Sequence, residues 1–181
     1  MTLRTLRLRA IWLLIVPFLW YARPTPTLLA VGIALAALGL WIRARAAGFI
    51  HKDRELTTTG PYAHTRNPLY LGTFFLGLGV TVAGGRELFV VLFMIFFVWI
   101  YSRTMQAEAE LLTELFGDAY RDYARRVPLL IPRLKPYQAV PQGAQAAEPF
   151  SFERWRRNRE YEALLGAVAG FAFLTLRMWM S

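Results

Sequence analysis

Cysteine is absent from the 181 residues, which removes disulfides, thiolate nucleophiles and Cys-ligated metals together. Histidine is nearly absent. His51 and His64 are the only two, and no cluster of carboxylates stands beside them, so no metal site is expected. Charge is sparse: 18% of residues are charged, against about 25% in ordinary soluble chains. Apolar residues meanwhile reach 56% and gather in long blocks. That combination argues against a soluble enzyme. Acidic residues are scarce as well, 12 against 21 Lys and Arg, for a net charge of +9. A basic surplus beside long apolar runs points to the flanks of membrane helices, and no nucleic-acid partner is expected.

What is present is a set of five apolar stretches near the length needed to cross a hydrocarbon core, roughly 20 residues. They cover about 8–22, 27–42, 69–83, 88–104 and 162–180. Pro17 interrupts the first, as a membrane helix tolerates. That stretch follows Arg4, Arg7 and Arg9 as a signal peptide would, but Tyr21-Ala22-Arg23-Pro24 is a poor cleavage site, so a retained span is expected. Gly84-Gly85-Arg86-Glu87 is a turn short enough to make the third and fourth spans an antiparallel hairpin. With the N-terminus in the cytoplasm, eighteen basic residues lie on that side, and only Arg23, Arg86 and Arg177 lie across the membrane. Basic flanks are retained in the cytoplasm, so this orientation is the expected one. The whole reads as a single all-α integral membrane domain, 1–181, with a linker at about 136–149. Localisation to a bacterial or archaeal inner membrane is expected.

Both cytoplasmic segments carry polar motifs. Between spans two and three, Gly60-Pro61 signals a turn, and Pro68 suits the first turn of span three with Asn67 placed to cap it. After span four, Ala107, Leu111, Leu112, Leu115 and Phe116 recur at helical spacing, so that helix runs on to a Gly117 stop. Glu110 and Glu114 share a face there and Glu108 lies on another. Tyr120 and Tyr123 follow in a short polar helix. Val127-Pro128-Leu129-Leu130-Ile131-Pro132 cannot form a long helix and is expected along the membrane or back over the hairpin. Residues 150–162, with Phe150, Phe152 and Trp155 among charges, read as an interfacial helix.

Gly60-Pro61-Tyr62-x-x-x-Arg66-Asn67-Pro68-x-Tyr70-x-Gly72, a hairpin, Glu108, Phe116-Gly117-x-x-Tyr120-x-x-Tyr123 and Val127-Pro128-x-x-Ile131-Pro132 together resemble the isoprenylcysteine carboxyl methyltransferase family. The wider group includes phospholipid N-methyltransferases. The resemblance covers residues 60–132. It implies membrane helices with S-adenosylmethionine bound on the cytoplasmic side. Tyr62, His64, Arg66, Asn67, Pro68, Tyr70, Gly72, Glu108 and Glu110 would be cofactor-binding, and Arg66, Asn67 and His64 would be catalytic. Asn67 stands where the family usually has His, and Ala109 breaks the family's paired Glu, displacing the second acid to Glu110.

Elementary chemistry is compatible with those roles. A carboxylate at Glu108 suits the cofactor ammonium, and the planar fork of Arg66 suits its carboxylate. The rings of Tyr62 and Tyr70 suit a sulfonium. His64 is the candidate base if the acceptor is an amine. The acceptor itself is expected to be lipid-like or prenylated, reaching the site sideways from membrane lipid past 127–132 and 150–155. A membrane reductase using NADPH and a non-catalytic partner-binding protein remain the alternatives. The charge asymmetry makes one prediction by itself. Single cysteines in the 60 and 85 turns of this cysteine-free chain should react with impermeant thiol reagents from opposite sides of the membrane; labelling of both from one side would overturn the hairpin.

Overall fold

A computed structural model describes residues 15–50, 55–138 and 150–180. Residues 15–21 are helical (α1), followed by α2 (Pro26–Phe49), a 3-10 turn (Gly60–Ala63), α3 (Pro68–Ala83), α4 (Glu87–Arg126), α5 (Phe152–Arg157) and α6 (Glu160–Met180). There is no strand among the described residues. Helices α2, α4 and α6 are long and apolar enough to cross a membrane, and α3 is a shorter apolar helix. The chain is thus an all-α integral membrane protein. The first expected span lies partly outside the described residues, as does most of the expected linker.

Thr25 starts α2: its hydroxyl accepts from the Leu28 N–H at 3.3 Å, with Pro26 in the first turn. The helix then outruns the expected end at 42. Arg43 and Arg45 do not stop it because both guanidiniums find partners, Arg45 over the rings of Trp41 and Phe49. The face that meets α3 carries Gly32, Ala36 and Gly39, and α3 answers with Gly72, Leu76, Gly79 and Ala83. These positions alternate four and three apart, an average period of 3.5 residues that keeps one face on the partner helix. A Cβ on Gly79 would sit 2.5 Å from the Gly32 carbonyl oxygen, and one on Gly72 would sit 2.6 Å from that of Gly39. The two backbones therefore touch along the seam, as small residues allow in membrane helices.

Arg43 ends this seam. A Cβ on Gly72 would come within 2.6 Å of its Cγ, so Gly72 is the slot through which the arginine stem passes. Beyond the slot, Arg43 donates to both Glu160 carboxylate oxygens (3.0 and 2.9 Å) and to Thr73 Oγ1 (2.6 Å). One bidentate fork joins α2, α3 and α6, with Glu160 buried at 7% exposure. The expected interfacial helix is also docked more firmly than a surface helix. Asn158 Nδ2 donates to Ala47 O, while Arg154 Nε and the Ser151 N–H donate to Gly48 O, satisfying carbonyls that the end of α2 leaves open.

Helix α4 packs on α3 through rings: Phe74 against Phe97 at 5.0 Å, Phe97 stacked on Tyr101 at 4.5 Å, and Tyr70 edge-on to Tyr101 at 5.3 Å. Gly117 does not stop this helix but bends it, adopting φ 55° and ψ −127° between two helical runs. Nothing lies within 4 Å of where its Cβ would be, so glycine is required there for backbone conformation alone. Gly60 and Gly85 also hold positive φ, so exposed Glu55 and Glu87 beside them are the better cysteine positions for the labelling experiment.

Gly72→Ala should lower the unfolding temperature in detergent by disturbing both the seam and the Arg43 fork, at a cost of about 1–3 kcal/mol. Gly166→Ala, in open space on α6, should be neutral or stabilising by about 0.5–1 kcal/mol. Equal behaviour of the two variants would mean the seam is not close-packed.

Candidate active site

The motif turn begins at Gly60, whose positive φ lets the chain fold against the Phe49 ring. The Tyr62 N–H donates to Thr59 O, and the His64 and Thr65 N–H groups both donate to Pro61 O, closing a 3-10 turn that buries Tyr62 and Ala63. The segment from 127 onward then runs beside this turn. Arg66 N–H donates to Pro128 O (2.9 Å), Arg133 N–H to His64 O (2.9 Å) and Tyr137 N–H to Ala63 O (2.8 Å). Side chains add to the pairing. Thr65 Oγ1 donates to Leu130 O at 3.0 Å and Asn67 Nδ2 to Leu129 O at 3.0 Å. The stretch 127–132 is thus paired with the motif turn, a partner that the sequence reading did not name. Prolines 128 and 132 keep the stretch out of a helix, and its free carbonyls accept the donors of the motif turn. Residues 136–138 belong to the same docking, with the Tyr137 ring against Tyr123.

The bend at Gly117 turns the last part of α4 back toward the motif turn. Tyr120 and Tyr123, three apart and both buried, face inward there. Tyr123 Oη donates to Tyr62 O at 2.7 Å, and Arg66 Nη1 donates to Tyr120 Oη at 3.3 Å. Between these elements lies a cavity of about 630 Å³, including its solvent-open part. Its walls are Ile50, Leu56 and Thr57 after α2, Tyr62, Arg66 and Asn67 of the motif turn, Met105, Glu108, Ala109 and Leu112 of α4, and the two tyrosines. Three of its polar atoms, Tyr62 Oη, Arg66 Nε and Glu108 Oε2, are buried without a hydrogen-bond partner. A donor, an acceptor and a hydroxyl buried together and unsatisfied are what a polar ligand would complete.

A family model described as phospholipid methyltransferase matches residues 27–119, from α2 to the bend of α4. The chain belongs to the phospholipid methyltransferase family. Three curated proteins illustrate the range of relatives. The nickel-cobalt-cadmium resistance protein NccN of Alcaligenes xylosoxydans xylosoxydans is 31% identical over 121 residues, 66% of this chain and 55% of that protein. Protein-S-isoprenylcysteine O-methyltransferase of Saccharomyces cerevisiae is 32% identical over 125 residues (62% and 52%), and that of Schizosaccharomyces pombe is 35% identical over 82 residues (45% and 35%). The chain spans about half the length, or less, of these relatives. No solved structure matches it. Among the described residues, no group of His, Cys, Asp and Glu is placed to hold a metal ion.

Within this family frame, the cavity gathers Tyr62, Arg66, Asn67 and Glu108 from the residues singled out by sequence. The others stand elsewhere. His64 Nδ1 lies 2.8 Å from Arg133 O; a carbonyl only accepts, so Nδ1 carries the proton. Pro68 is buried in the first turn of α3, Tyr70 packs on Tyr101, Gly72 belongs to the α2–α3 seam, and Glu110 is exposed. Asn67 occupies the cap position of α3 but does not cap it, because its amide is committed to Leu129 O. Ala109 faces the cavity where the family's paired acid would stand, leaving Glu108 as the one acid among the lining residues. Sequence reasoning left Tyr120 and Tyr123 out of the site, although their three-residue spacing after Gly117 was the available signal.

Burial pushes the Tyr62 phenol well above its ordinary pKa, with the Glu108 carboxylate adding to the shift; burial and then the neighbouring Tyr120 raise Tyr123. Both phenols are neutral in the folded protein. Their contribution to stability is complete below the ordinary tyrosine value of about 10 and is lost as pH rises from there through the folded values. Of the eight tyrosines, these two should therefore be missing from the phenolate absorbance of folded protein at about pH 11 and appear on unfolding. Tyr62→Phe and Tyr123→Phe should leave the folded titration unchanged; a loss of amplitude at that pH would contradict the burial.

Proposed function

We propose that the chain is an S-adenosylmethionine-dependent methyltransferase whose cofactor site is this cavity, acting on a lipid-like or prenylated amphipathic acceptor at the cytoplasmic interface. The three buried unsatisfied atoms carry the proposal. Glu108 Oε2 would accept from the cofactor ammonium, and Arg66 would donate to its carboxylate through Nε. Tyr62 Oη, held neutral, would donate or accept, and Tyr120 and Tyr123 offer ring faces toward a cation. The donor, acceptor and hydroxyl present fit a zwitterionic ligand. The bound cofactor supplies an electrophilic methyl group on a sulfonium.

What this chain contributes is orientation and exclusion of water. The paired segments 61–67 and 127–137 fix the motif side chains, and Leu56, Met105 and Leu112 keep part of the wall apolar. A carboxylate or thiolate acceptor needs no base. If the acceptor is an amine, Nε2 of His64 is the candidate base, Nδ1 being committed to Arg133 O. Exposed Ile131 and Leu134 put apolar surface beside that turn, suiting an acceptor tail that partitions into lipid at about 0.8 kcal/mol per CH₂. The N-terminus is proposed to be cytoplasmic, on the eighteen-to-three charge count. Neither a nicotinamide reductase nor a non-catalytic protein draws support from the family match.

Calorimetric titration with S-adenosylmethionine, S-adenosylhomocysteine and NADPH tests the reading. The first two should bind and the third should not. Glu108→Gln and Arg66→Ala should each weaken binding ten- to a hundredfold, about 1.5–3 kcal/mol for a charge-assisted contact, while Glu110→Gln and Glu114→Gln should change little. Negligible effects at Glu108 and Arg66 would remove the cavity as the cofactor site.

A further inference from the structure

The end of the bundle away from the cavity holds the three arginines that the charge count assigns to the far side of the membrane, two of them reaching one turn with their side chains and the third fastened beside it by its backbone. Arg177, in the last turn of α6, donates from Nη2 to Trp20 O at 2.9 Å. Arg86, between α3 and α4, donates from Nε to Tyr21 O at 3.3 Å. These acceptors are successive carbonyls at the end of α1, so both guanidiniums converge on one helical turn. Arg23 follows two residues later, and its N–H donates to Gly84 O at 2.8 Å, fastening its segment to the turn that carries Arg86.

Like charges brought to one turn repel, and among the described residues none of the three arginines forms an ion pair, although Glu87 adjoins Arg86. Arg177 Nε is buried and lacks any hydrogen-bond partner. The platform beneath is buried: Ala22 of the connection after α1, Leu29 of α2, Ala83 of α3 and Leu174 of α6 pack together there. Exposed Trp20, Tyr21 and Trp179 surround it, as aromatic side chains do at headgroup depth.

We propose that Arg23, Arg86 and Arg177 form a binding site for the phosphate of an anionic phospholipid in the leaflet opposite the cavity. Guanidinium forks match phosphate oxygens, and a lipid of net negative charge offsets the cluster where a zwitterionic lipid, carrying its own ammonium, does not. The site does not depend on the methyltransferase reading. It also accounts for arginine at all on a face where basic residues are disfavoured.

Native mass spectrometry of the delipidated full-length protein tests it, with phosphatidylglycerol, phosphatidylcholine or inorganic phosphate added. Phosphatidylglycerol should be retained about tenfold over phosphatidylcholine, and Arg86→Gln/Arg177→Gln should abolish the preference. Because those two side chains also hold α1, Arg23→Gln supplies the second variant. Its side chain holds nothing in place, so it should fold normally yet lose most of the preference and of the thermal stabilisation by phosphatidylglycerol. A charge-matched double variant at the other end, Arg121→Gln/Arg125→Gln, should keep both. Equal retention of the two lipids, loss in the charge-matched variant, or saturation by inorganic phosphate without lipid binding would each overturn the proposal.

Discussion

The backbones of α2 and α3 lie against each other because Gly32, Ala36 and Gly39 face Gly72, Gly79 and Ala83, and the remaining structure hangs from that contact. In lipid there is no hydrophobic drive between helices, so close packing and interhelical hydrogen bonds must hold them. The seam provides the first and positions the second. Only with the helices this close does the stem of Arg43 cross at Gly72 and reach Glu160 and Thr73. A buried ion pair is costly to desolvate, and its net contribution to stability is modest; its use here is to fix where α6 begins. From Glu160 the chain runs back to α5, which in turn closes the end of α2 through Asn158 and Arg154.

The motif divides into residues that build and residues that face the cavity. Thr65, His64 and the Asn67 amide hold the carbonyls of 129, 130 and 133, while Gly72 makes room for Arg43. Tyr62, Arg66 and Glu108 turn buried polar atoms inward and leave them unsatisfied. Asn67 in place of the family's usual His is consistent with this division, since an amide donates to a backbone carbonyl as an imidazole N–H would. The proline-bracketed stretch is then a frame for the motif turn.

Several elements were legible in the residues themselves. Long apolar blocks and an eighteen-to-three split of basic residues are local and additive properties, so they defined helices and their expected orientation without any contact information. The end of α4 shows the limit of such reasoning. Gly117 was visible as a break, but a glycine with positive φ can stop a helix or bend it, and the burial of Tyr120 and Tyr123 beyond it selects the bend.

By itself, then, the sequence determined an all-α membrane chain, the hairpin and the identity of the motif, because apolar period, charge and turn residues act over a few neighbouring positions. Tertiary structure alone decided which motif side chains see the cavity, since Tyr62 and Arg66 come from the motif turn and Glu108 and Tyr120 from either side of the Gly117 bend. It also decided that Arg43 finds Glu160, 117 residues away, and that Arg86 and Arg177 reach successive carbonyls of one turn. The reason is the same in each case: a charge or a hydrogen bond takes whatever partner the packed backbone brings near, and residue spacing along the chain does not encode that distance.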